Sequence, residues 1–157
     1  MDILQAILNN SFTQVKELLE KGANPNIEIR GTVPLSYVCY KSDDSEMIQL
    51  LLEYGADPTF NASEALRMAC FFGHTKIVKL LLRDGRADPT CFDNHAIKIS
   101  LRNSNIDVVK ALLQDGRVDI HKEYKFSHVK QEIADMLIAY KYRVDGQEYQ
   151  KMKNLLK

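Results

Sequence analysis

The residues that could do chemistry in this chain are four histidines, His74, His95, His121 and His128, and three cysteines, Cys39, Cys70 and Cys91. The cysteines are 31 and 21 residues apart, which matches neither a zinc pattern nor a disulfide framework. A metal site needs three or four converging ligands, and the histidines are too scattered along the chain to nominate one. The seven glycines are isolated, so no glycine-rich loop cradles a phosphate. There is no Gly-x-Ser-x-Gly elbow, no His-Glu-x-x-His helix, no Cys-x-x-Cys pair and no EF-hand loop. The expectation is a chain with no catalytic residues, no metal and no cofactor. Asn9 and Asn61 begin Asn-x-Ser triplets, which read as accidental without a secretory signal.

Composition narrows the function further. At 157 residues the chain fits one domain, and 45% hydrophobic residues suffice for a real core. Basic and acidic residues number 21 each, so no global field draws the protein to nucleic acid or to an anionic membrane. The start, with Asp2 and no basic stretch, does not resemble a secretory leader, and no apolar run approaches the roughly 18 residues of a membrane span. A soluble protein of the cytoplasm, or of the nucleus, is expected, and an odd set of cysteines suits a reducing compartment.

The elements that must position any functional surface are short helices. Within Ser63–Thr90, Leu66, Met68, Ala69 and Cys70 mark one apolar helix, Gly73 breaks it, Ile77, Val78, Leu80, Leu81 and Leu82 mark a second, and Gly85 closes the unit. Helices shorter than roughly 12 to 15 residues are marginal alone in water, so the unit must stack on something similar. The chain supplies it. LLEKGANPN from Leu18, LLEYGADPT from Leu51, LLRDGRADP from Leu81 and LLQDGRVDI from Leu112 recur at offsets of 33, 30 and 31 residues.

On these residues the sequence resembles the ankyrin-repeat family. The family pattern is matched by Ala65-Leu66-Arg67-Met68-Ala69-Cys70-Phe71-Phe72-Gly73-His74 followed by Ile77-Val78-Lys79-Leu80-Leu81-Leu82. A second copy runs from Gly31 through Pro34-Leu35-Ser36-Tyr37-Val38-Cys39 to Gly55-Ala56-Asp57. The Asp-Gly-Arg turns at Asp84 and Asp115 also resemble ankyrin proteins of amoeba-infecting giant viruses. The resemblance implies an all-α ankyrin-repeat solenoid of stacked antiparallel helix pairs with short finger loops. Repeats are expected at about 2–28, 29–59, 60–90 and 91–121, with a C-terminal cap and tail over 122–157. The first repeat is the N-terminal cap, since Gln5, Asn9 and Asn10 suit an exposed end. Ile27–Thr32 is expected to form a hairpin-like finger with Gly31 at positive φ. Asp44 or Ser45 should cap the outer helix that follows. The third and fourth fingers lack glycine and proline, carrying Ala62, Asp93, Ala65 and Ala96 there, and regular hairpins are not expected. His74 falls at the family's Gly-His turn, in a structural hydrogen-bonding role. Cys39 and Cys70 fall at a small buried position, and only Cys91 could be an exposed thiol.

The resemblance also implies a non-catalytic module that binds another protein on its concave finger and inner-helix face. Carrying the family's variable positions across residue by residue places Leu8, Asn9, Ile29, Arg30, Thr32, Tyr40 and Lys41 on that face. Phe60, Asn61, Ser63, Phe71 and Phe72 follow from the third repeat, and Cys91, Phe92, Asn94, Arg102 and Asn103 from the fourth. Contiguous exposed aromatics usually mark an interaction site, and aromatics and arginine dominate binding hot spots. The alternative is that Phe60 and Phe92 fold inward over helix ends while Phe71 packs on a neighbouring inner helix. A monomer with a protein partner is expected. The rivals are a self-associating or architectural protein, and an adaptor using the basic segment 141–157. There five cations (Lys141, Arg143, Lys151, Lys153, Lys157) face Asp145 and Glu148. Gln147–Lys157 is open between a short amphipathic helix and a frayed tail.

Overall fold

The computed structural model describes residues 2–29, 31–118, 135 and 137. The expected C-terminal cap and tail lie outside the described residues, apart from Asp135 and Leu137. Both of these are helical, and Leu137 is buried in the core. Eight helices are described: α1 (Ile3–Leu8), α2 (Phe12–Glu20), α3 (Pro34–Lys41), α4 (Ser45–Glu53), α5 (Phe60–Phe72), α6 (Thr75–Asp84), α7 (Cys91–Arg102) and α8 (Ile106–Asp115). Each odd-numbered, inner helix packs on the outer helix after it, and a link of only two or three residues makes the pair antiparallel. Inner helices α1, α3, α5 and α7 stack in that order, and so do outer helices α4, α6 and α8.

The stacking follows from the apolar pattern. Leu35, Met47, Ile48, Leu51, Leu66, Ile77, Leu81, Ile97 and Leu112 are fully buried, and together they line one core running between the two rows of helices. Burying each such side chain stabilises by about 1.5–3 kcal/mol, which the short helices could not gain alone. Cys39 and Cys70 have no exposed surface and act as small spacers between stacked inner helices.

The turns show where local chemistry decides the path. Gly73 ends α5 at φ +78°, and a Cβ there would lie 3.0 Å from Asn105 Oδ1, so both conformation and close approach require glycine. The longer link between α3 and α4 needs no positive φ: Ser42 is extended, and Asp44 caps α4 by accepting from the Met47 N–H at 3.0 Å. The outer helices α6 and α8 have ten residues, against nine in α2 and α4. The exits from these longer helices are closed by arginine forks, Arg86 onto Asp84 and Arg117 onto Asp115. Arg117 also reaches back one repeat and donates to the carbonyls of Ala87 at 2.8 Å, Gly85 at 3.1 Å and Leu82 at 3.3 Å.

The fingers differ from one another. Ile29 and Thr32 exchange backbone hydrogen bonds across Gly31 at φ +80°, forming the expected hairpin bridge. The third and fourth fingers are instead left-handed turns, with Asn61, Ala62 and Ser63 at φ 48° to 57° and Phe92, Asp93 and Asn94 at φ 52° to 58°. Left-handed backbone costs L-residues roughly 1–2 kcal/mol each, so these turns persist only because their surroundings hold them. Thr59 and Thr90 carbonyls accept from the Ser63 and Asn94 N–H groups. Arg67 donates from Nη2 to the Asn61 carbonyl at 2.9 Å and from Nε to the Ala62 carbonyl at 3.1 Å.

Candidate functional site

The inner-helix face is built from matching positions of α3, α5 and α7. At the C-terminal ends the row Tyr40, Phe71, Arg102 is followed by the row Lys41, Phe72, Asn103, each step being one repeat of 31 residues. These side chains are exposed because the helix stripes that face the core are taken by Leu35, Val38 and Cys39, and by Leu66, Ala69 and Cys70.

Tyr40, Phe71 and Phe72 form one continuous aromatic surface. The rings of Tyr40 and Phe72 meet edge to face at 5.6 Å, those of Phe71 and Phe72 at 4.8 Å, and the three side chains keep 42% to 54% exposure. Tyr37 extends the cluster on one side at 6.4 Å from Tyr40. His74 stacks on Phe72 at 5.8 Å, with Nδ1 3.8 Å from Asp43. The structural hydrogen-bonding role of His74 is filled by its backbone, whose N–H donates to the Ala69 carbonyl and whose carbonyl accepts from the Val78 N–H, while its ring stacks and lies near a carboxylate. The platform is rigidly backed. Asn103 donates to the Phe71 carbonyl at 2.8 Å and Asn105 to the Cys70 carbonyl at 3.0 Å, satisfying carbonyls that the end of α5 leaves without helical partners.

Not every expected residue joins this surface. Phe92 is exposed at 63% with the Arg67 guanidinium 4.8 Å from its ring centroid, but it stands at the opposite end of the inner helices from Phe72. The expected single stripe is thus two patches, because the helical part of α5 between them rises about 12 Å. Phe60 is half-buried, as is Ile29, and Arg30 lies outside the described residues. Asn94 and Ser63 are buried rather than presented: the left-handed turns swing them inward, and Ser63 Oγ accepts from the Asp88 N–H at 2.9 Å. Lys41, Arg102 and Asn103 are exposed as expected. Leu8 is exposed at the edge of two open clefts of about 330 and 480 Å³ that also involve Tyr37.

Chemical reactivity is suppressed where thiols occur. Burial pushes Cys39 up and, outweighing the neighbouring Ser100 hydroxyl, pushes Cys70 up to about 12. Cys91 is half-buried and is raised by burial and by its hydrogen bond to Asp88, so it is not an activated thiolate. Among the described residues no group of three His, Cys, Asp or Glu converges on a common point.

Sequence reasoning missed Arg67 and Asn105, and it placed Asn103 on the face without its bond to the end of α5. A signal for the left-handed turns was present in Asn61, Asp93 and Asn94, since Asn and Asp tolerate that conformation best.

Comparison with known proteins agrees with this architecture. Residues 35–124 match the family model described as ankyrin repeats (3 copies), and the chain belongs to the ankyrin-repeat family. It is 30% identical over 83 residues to an ankyrin repeat protein, FPV222, of fowlpox virus (strain NVSL), a match covering 50% of this chain and 11% of that protein. The chain thus spans about a tenth of the length of this curated relative. The crystal structure of EF0377, an ankyrin repeat protein, superposes with a TM-score of 0.75 at 23% identity, covering 88% of this chain and 80% of that one. The fold is a helical solenoid of a kind that generally serves protein–protein interaction, and among the described residues no helix is long and apolar enough to cross a membrane.

Proposed function

We propose that this chain is a protein-binding module without chemistry of its own, working as an intracellular monomer that presents its inner-helix face to a partner protein. Its four repeats occupy 2–28, 29–59, 60–90 and 91–121, and one helix pair falling in each span supports that division. The observation that carries the reading is the aromatic platform of Tyr40, Phe71 and Phe72. Three large rings stay half-exposed at adjacent positions of two stacked helices while most of each helix is packed. A rigid stack loses little ordering entropy on binding, so such a surface is suited to supply hot-spot contacts. Buried cysteines with no disulfide among the described residues suit a reducing compartment.

The test is affinity capture from a lysate of the source organism with wild type and with the double variant Tyr40→Ala, Phe72→Ala. A partner retained by wild type and lost by the variant, at matched helical content, is the expected result. Capture that is indifferent to both substitutions would remove these residues from the interface. Sedimentation that reveals concentration-dependent dimers, abolished by the same variant, would instead favour self-association.

A further inference from the structure

The second patch runs along α7 from its N-terminal turn to Arg102 at its C-terminal end, and differs in chemistry from the aromatic platform. His95, Lys98 and Arg102 are spaced i, i+3 and i+7 on α7, and buried Ala96, Ile97, Ile99 and Ser100 fill the rest of that helix. Arg67 adds a fourth basic group from the adjacent α5, its guanidinium fixed by two backbone carbonyls and lying against the Phe92 ring. The acidic groups here are Asp93, paired with Lys98, and Glu64, half-buried and accepting from Asn61. Among the described residues no carboxylate is ion-paired with Arg67 or Arg102. His95 is held below its ordinary range by burial and then by Arg67, Arg102 and Lys98. Phe92 is presented from a left-handed turn that a bulky residue adopts only under constraint.

Resting on the binding-module reading, we propose that this patch docks an acidic segment of the partner protein, whose carboxylates meet Arg67, Lys98 and Arg102 while an apolar side chain covers Phe92. Arginine suits this task because its planar fork takes a carboxylate through two hydrogen bonds. A nucleic-acid strand fits less well: Lys98 and Arg102 lie only about 6 Å apart along α7, and Asp93 and Glu64 within the patch would oppose a continuous row of phosphates. Charge alone does not make the site. Lys76, Lys79 and Arg83 repeat the same spacing on α6, yet among the described residues none of them lies over an aromatic ring, so that stripe is a solvated outer face.

The experiment is selection of peptides from a random display library on the full-length chain. Affinities are then measured for the wild type, for Lys98→Glu with Arg102→Glu, and for Lys76→Glu with Lys79→Glu, which changes net charge identically on α6. The expected result is enrichment of peptides rich in Asp and Glu that carry an apolar residue. Their affinity should fall at least about tenfold in the α7 variant, change little in the α6 variant, and weaken with added salt. Circular dichroism melting establishes that both variants fold. Enriched peptides that are neutral or basic, or acidic peptides weakened equally by the two variants, would overturn the acidic-segment proposal and leave the binding-module reading intact. Failure to enrich any peptide on a folded wild type would count against both. A single-stranded oligonucleotide that binds wild type more tightly than the selected peptides, and loses affinity in the α7 variant, would assign the patch to nucleic acid and overturn the proposal.

Discussion

Leu81 and Phe72 are nine residues apart in one helix pair and live in opposite environments. Leu81, on the outer helix α6, is fully buried between its neighbours, whereas Phe72, at the end of the inner helix α5, is 42% exposed and rests on Tyr40, Phe71 and His74. Both are large and apolar, so hydrophobicity alone does not separate them. Position in the stack does: α6 packs on α4, α5 and α8, while Phe72 falls outside the stripe of α5 that buries Leu66, Ala69 and Cys70. The difference divides the molecule into residues that make the chain stack and residues that stacking leaves on offer.

Truncating the two side chains sharpens that division. Leu81→Ala should cost roughly 2–5 kcal/mol in urea denaturation, the range for a buried leucine whose cavity cannot collapse. Replacing Arg117 by alanine comes next, at about 1.5–3 kcal/mol, because three carbonyls of the preceding repeat and Asp115 lose a charged donor. Phe72→Ala and Tyr40→Ala should each cost only about 1 kcal/mol, reflecting partial burial. Equal losses at Phe72 and Leu81 would show that the platform is structural and would break the contrast. Ala62→Gly should raise stability by up to about 1 kcal/mol, since glycine relieves the left-handed strain and gives part of the gain back as unfolded-state entropy.

The smallest effect expected is with pH. The folded value of His95 is depressed, so its neutral form favours the native state. Its contribution is complete above the unfolded histidine value of about 6.5 and is lost as pH falls through the lower folded value. The melting temperature should therefore decline on acidification through that window, and His95→Gln should flatten part of the decline. A slope of the opposite sign would show that the cations around His95 are offset by carboxylates in the folded protein.

Much of the scaffold was legible. The recurrence of Leu-Leu with a following Gly, and the apolar spacing within each unit, specify four antiparallel helix pairs because short helices must bury one stripe. The hairpin at Gly31, the cap at Asp44, the longer exits at Asp84 and Asp115 and the burial of Cys39 and Cys70 could all be read from single residues and their neighbours. The face was less legible. Tyr40 and Phe72 were identifiable as exposed and Phe71 was left open, but Asn94 and Phe92, two residues apart, have opposite fates that no periodicity distinguishes.

The sequence by itself determined that this chain stacks, that residues 3–115 form four helix pairs, and where each pair turns, since these depend on local periodicity, caps and turn residues. The tertiary structure alone decided how the surface divides. Arg67 can hold the Asn61–Ala62 turn and meet Phe92 only when α5 and α7 lie side by side, and the Asn103 and Asn105 amides reach the end of α5 across about one repeat. Contacts between residues some 25 to 35 positions apart are set by the stacking geometry, which local preferences do not encode.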